Sequence, residues 1–125
     1  MKEYGLQIRV YYEDTDCGGI VYHSNYLNFC ERARSELFFQ KGLSPHDGDD
    51  FFVVKHMECD FISSAKFGDL LDVSTEVSEI KKASIVLEQT IKRLNEILFK
   101  TKVTLVFLKS GKLSRIPQEK LAIFS

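Results

Sequence analysis

The chain has 125 residues, 44% hydrophobic and 28% charged, with a formal net charge of −1. This is the composition of an ordinary globular domain, long enough for one core and too short for two. Interspersed charge of both signs gives no electrostatic case for nucleic acid or an anionic membrane. Cys17, Cys30 and Cys59 are an odd set without C-x-x-C spacing, which argues against a disulfide framework or a cysteine zinc site. The opening MKEYGLQIRVYY lacks the apolar region of a signal peptide, and no apolar run reaches transmembrane length. One domain over residues 1–125, in a reducing cytoplasm, is the expectation.

Residues 6–12 alternate, placing Leu6, Ile8, Val10 and Tyr12 on one face of a half-buried strand. A polar loop with Asp14, Asp16, Gly18 and Gly19 follows. Tyr26, Cys30, Ala33 and Leu37 then recur at helical spacing, with Phe29 and Phe38 widening the stripe. Ser24 or Asn25 can cap this helix, Gly42 can close it in the left-handed conformation, and Pro45 lies just beyond. Residues 51–63 read as a strand with Phe51, Val53, Met57, Cys59 and Phe61 on one face; Lys55 interrupts that face and marks an end or a twist. Further strands are expected over 70–80, 84–94 and 97–108, the last two joined tightly at Asn95-Glu96. A short helical turn after Pro117 and a packing anchor at Phe124 complete the chain. Strand, long helix, then four strands joined mostly by tight turns implies an α+β fold, an antiparallel sheet curled around one helix.

The chemistry concentrates where the loop meets the helix. The first turn of a helix leaves backbone N–H groups unpaired and carries the positive end of the macrodipole. Such an end can hold an anion, or a carbonyl oxygen becoming one. A carboxylate beside it can activate water or attack a carbonyl. The plainer reading is that Asp14 and Asp16 simply close turns, and that His23 is a partly exposed capping histidine. There is no G-x-S-x-G, no H-x-x-x-H among His23, His46 and His56, no phosphate loop and no dinucleotide fingerprint.

Asp14 to Arg34 reads D-T-D-x-x-G-x-V-Y-H-x-x-Y-x-x-F-x-E-R-x-R. This run resembles the signature of hot-dog-fold acyl-CoA thioesterases of the 4-hydroxybenzoyl-CoA thioesterase family, most closely the YbgC-like branch. The resemblance implies a hot-dog fold, a five-stranded antiparallel sheet wrapped around one long central helix. It implies hydrolysis of acyl-CoA to a free acid and coenzyme A, with Asp16 as the catalytic carboxylate and the His23 amide as oxyanion donor. Tyr12 lines the site in that branch; an ordinary core tyrosine is the alternative. Gly19, Val21, Tyr22 and Glu31 match substrate-side positions, with packing the alternative for Tyr22. Asp14 is assigned to loop support and Arg32 and Arg34 to an interface. No metal or redox cofactor is implied, since coenzyme A arrives with the substrate. The family pairs protomers edge to edge into dimers that often pair again, and YbgC-like relatives are linked with acyl carrier protein and an envelope system. A non-catalytic acyl-binding scaffold and a hot-dog hydratase are the rival readings.

Overall fold

The computed structural model describes residues 3–124. Its strands are β1 (Glu3–Arg9), β2 (His46–Asp47), β3 (Asp50–Phe61), β4 (Leu70–Ile80), β5 (Ser84–Arg93), β6 (Glu96–Lys109) and β7 (Lys112–Ser114). The long helix α1 is Asn25–Phe39, and a short α2 is Gln118–Leu121. One antiparallel sheet runs in the order β1-β4-β5-β6-β3-β2, with β7 added to the end of β6. The five expected strands are present; β2 and β7 are additions, with only two and three residues. Elements that short carry no alternation for a sequence to display.

The sheet buries one face against α1, as its alternating residues require. Tyr26, Phe29, Cys30 and Ala33 pack on Val73, Ile91 and Phe99. One turn further on, Leu37 and Phe38 meet Leu87, Val103 and Phe107 together with Ile123 and Phe124 of the tail. Lys120 is 3% exposed and pins that tail to the Ser44 carbonyl and the Asp47 carboxylate.

Four local expectations change. The first strand stops at Arg9, and Tyr12 opens a single 3-10 turn instead of extending it. Tyr12 is 74% exposed, so it is not a core tyrosine. The Asp14 carboxylate accepts from the Tyr11 amide at 2.9 Å and folds the chain back before the alternation can continue. Ser24 is already helical, at φ −70° and ψ −18°, and its side chain makes no cap. In β3 a bulge falls between Val54 and His56. The extra residue, Lys55, reverses the facing of everything before it. Phe52 therefore joins Met57 in the core in place of Phe51 and Val53. The β5–β6 turn is Leu94-Asn95, since Arg93 pairs with Glu96.

Candidate functional site

The segment between β1 and α1 is a miniature hairpin. Thr15 bridges Val21, the Asp16 amide donates to the Ile20 carbonyl at 3.0 Å, and the Tyr22 amide donates to Asp14 at 3.1 Å. The tip turns at Gly19, where φ is +78°, a value that suits glycine. The β3–β4 connection holds the hairpin from below. The Val21 amide donates to Ala65 at 2.9 Å, Ile20 bridges Lys66, and the Phe67 amide donates to Gly19 at 3.1 Å.

The two aspartates diverge sharply. Asp14 is 3% exposed and both its oxygens are used, one by the Tyr11 amide and one by the Asn25 side-chain amide at 2.8 Å. It ties the hairpin to the first residue of α1. Asp16 is exposed at the tip, where Oδ1 accepts from the Gly18 amide at 2.8 Å. A Cβ on residue 18 would stand 3.3 Å from that oxygen, so glycine lets the carboxylate lie close over the backbone. Among the described residues, Oδ2 of Asp16 has no hydrogen-bond partner.

At the base of the hairpin the chain enters α1 without a side-chain cap. Among the described residues the amides of His23 and Ser24 donate to no acceptor. The His23 ring lies 4.3 Å from the Tyr22 ring and 6.3 Å from Phe61. Tyr12 meets Phe67 edge to face at 5.9 Å. The hairpin thus brings Asp16, Gly19, Tyr22 and His23 to one end of α1, with Tyr12 at its margin. Val21 is not with them: it is 4% exposed and packs in the core beside Tyr26. Glu31 is two turns along the helix, where Oε1 accepts from Ser35 at 2.9 Å.

Three residues contribute in ways the sequence does not assign; Asn25 reads there only as a possible helix cap. Asn25 locks Asp14. Asp69 holds the supporting turn, accepting from the Lys66 amide at 2.8 Å and Arg93 at 2.7 Å. Gln89, 1% exposed, sits where the β5 alternation of Ile85, Leu87 and Ile91 calls for an apolar residue. A polar residue on an apolar face is the one signal that could have drawn attention to it. Among the described residues no group of three His, Cys, Asp or Glu side chains is arranged to hold a metal.

The geometry offers a free carboxylate oxygen and unpaired backbone donors at one helix end, which suits attack on a polarised carbonyl. The profile of the thioesterase superfamily matches residues 18–100. An acyl-CoA thioesterase YbgC of Haemophilus influenzae is 42% identical over 97% of this chain and 93% of its own length. Its namesake in Helicobacter pylori is 45% identical over 69% of this chain, a match that spans 65% of that relative. A probable thioesterase from Bartonella henselae superposes with a TM-score of 0.85 at 36% identity, covering 93% of this chain and all of that one. A 4-hydroxybenzoyl CoA thioesterase mutant, solved with 4-hydroxybenzoyl CoA, reaches 0.88 over the full length of both chains; at 18% identity it speaks to the fold alone. By fold and by sequence, this chain belongs to the thioesterase superfamily of hot-dog proteins.

Proposed function

We propose that the protein is an acyl-CoA thioesterase, releasing a free carboxylic acid and coenzyme A. The reading rests on one juxtaposition: the exposed Asp16 carboxylate and the unpaired His23 and Ser24 amides share one end of α1. The thioester carbonyl oxygen takes the amides, where the helix dipole favours developing negative charge. Asp16 then draws a proton from attacking water, or attacks the carbonyl carbon itself to give a mixed anhydride that water opens. In both routes the C–S bond breaks and the coenzyme A thiolate is protonated on leaving. No cofactor takes part. Three free cysteines suit a reducing cytoplasm.

The working unit is at least a dimer. Beyond the contact with β2 and the Phe52 amide's bond to the Pro45 carbonyl, the outer edge of β3 is unpaired among the described residues, and exposed Val54, Phe61 and Ile62 lie along it or just past its end. An open edge of that length invites another strand. A second copy satisfies it symmetrically.

Asp16→Asn is the direct test. Asparagine keeps the oxygen that the Gly18 amide needs, so the hairpin holds while the acid is lost. Acyl-CoA hydrolysis, followed as thiol release, should fall by roughly 10²–10⁴-fold. Equal rates in both proteins would remove Asp16 from the chemistry. A wild type inactive on every acyl-CoA would favour a binding scaffold.

A further inference from the structure

Midway along α1, the inward face of the sheet carries a belt of polar residues between its two apolar halves. Thr75, Gln89, Thr101 and Cys59 are cross-strand neighbours on β4, β5, β6 and β3. Gln89 is the centre. Its amide nitrogen donates to Thr75 Oγ1 at 2.9 Å and to the Cys30 carbonyl at 3.0 Å, while its oxygen accepts from Arg34 at 2.9 Å. The guanidinium, which carries five donors, is thus held by a neutral amide. Among the described residues no carboxylate forms an ion pair with it. Burial, the largest influence on it, draws its pKa below the usual guanidinium value, although Cys30 and Glu31 push the other way.

A cavity of about 250 Å³ opens beside Arg34, walled by Phe38, Phe51, Phe52 and Leu105, with Glu31 and His46 among its polar lining. Glu31 is already engaged by Ser35. A space of this size, below the roughly 300–1,000 Å³ of drug-sized ligand pockets, suits a short acyl group. We propose that this cavity receives the acyl end of the substrate, and that Arg34 makes the enzyme selective for short acyl groups ending in a carboxylate. This deepens the thioesterase reading and rests on it and on the β3-edge dimer.

The same dimer brings the cavity to the chemistry. The free edge of β3 runs from Val53 to Phe61, because the Phe52 amide is taken by the Pro45 carbonyl at 3.2 Å. Antiparallel pairing of two such edges about their midpoint sets Val53 of one subunit against Phe61 of the other, with Val54 of the cavity lining next to it. Phe61 is the residue whose ring lies against Tyr26 at 5.9 Å and His23 at 6.3 Å. The cavity lined by Val54 in one subunit therefore opens beside the helix mouth of the other. Asp16 of one chain works with Arg34 of its partner.

Glutaryl-CoA and pentanoyl-CoA match in carbon count and differ in the terminal carboxylate. Wild type should prefer the former. Arg34→Met should lower the glutaryl-to-pentanoyl ratio of kcat/KM by about 10- to 100-fold, with partial recovery in Arg34→Lys. An unchanged ratio, or a wild-type preference for pentanoyl-CoA, overturns the selectivity. Co-refolding Asp16→Asn chains with Arg34→Met chains should restore glutaryl-CoA hydrolysis to about a quarter of the wild-type level, because half the dimers then hold one intact composite site. No restoration overturns the crossing between subunits. Calorimetric titration of glutarate separates the two readings. Binding to Asp16→Asn that vanishes in Asp16→Asn/Arg34→Met upholds the pocket even if no thioester is hydrolysed. Absence of binding in the former overturns it.

Discussion

Asp14 and Asp16 are two residues apart and stand in opposite surroundings. Asp14 is enclosed and spends both oxygens on the Tyr11 amide and the Asn25 side chain. Removing it by Asp14→Ala leaves those donors without an acceptor in a part-buried setting, which costs about 1–3 kcal/mol. The melting temperature should drop clearly, by several degrees for a domain of this size. A melting curve superimposable on wild type would show that the carboxylate is not holding the hairpin. Asp16, by contrast, has an oxygen to spare, and its replacement should cost rate and not stability. The D-x-D spacing alone did not distinguish the pair. The distinguishing feature is Asn25, which reaches back across eleven positions, and its role depends on where the helix begins. The motif resemblance proposes Asp16 as the acid, a choice that local spacing leaves open.

At the scale of elements, legibility followed whether the deciding interaction was local. The helix end was readable because Gly42 decides it in place: φ is +72°, and the Leu43 and Gly42 amides bond back to Phe38 and Phe39 at 2.9 and 3.0 Å. The helix start was not, because Asn25 turns to Asp14 and leaves Ser24 uncapped. In β3 the anomaly at Lys55 was visible, but its consequence for Phe51 and Phe52 depended on the pairing with β6. The β5–β6 turn was read one residue late because leucine is a poor turn former. Leu94 nonetheless sits at φ +55° and is 86% exposed. A left-handed leucine costs about 1–2 kcal/mol, partly balanced in a glycine variant by the greater freedom of its unfolded chain. Leu94→Gly should therefore stabilise the protein by about 0.5–1 kcal/mol, read as a higher urea midpoint with an unchanged slope. A lower midpoint would mean that the exposed leucine side chain is held by contacts worth more than the strain.

Across the whole molecule, the end of α1 that carries the Asp16 loop is braced by charge as well as by the backbone. Arg93 on β5 reaches the Asp69 carboxylate at 2.7 Å, Glu96 at 2.6 Å and the Ser64 carbonyl at 3.3 Å. One guanidinium thus joins the β5–β6 hairpin to the turn that carries the Asp16 loop. Burial alone would raise the Asp69 pKa, but the Arg93 hydrogen bond, the Lys66 amide and the two neighbouring positive charges outweigh it and hold the group below its usual value. The Arg93 hydrogen bond likewise lowers Glu96. A carboxylate whose pKa is depressed by folding binds fewer protons folded than unfolded. Its contribution is complete above the unfolded value near pH 4 and disappears as the pH falls through the folded value. Arg93→Met should therefore melt a few degrees below wild type at pH 7, a modest gap because these groups are only partly shielded from solvent. The gap should narrow from about pH 4 downward, as protonation removes from wild type what the substitution has already taken away. A gap that stayed constant to pH 3 would assign the loss to the packing of the arginine stem and not to its charge.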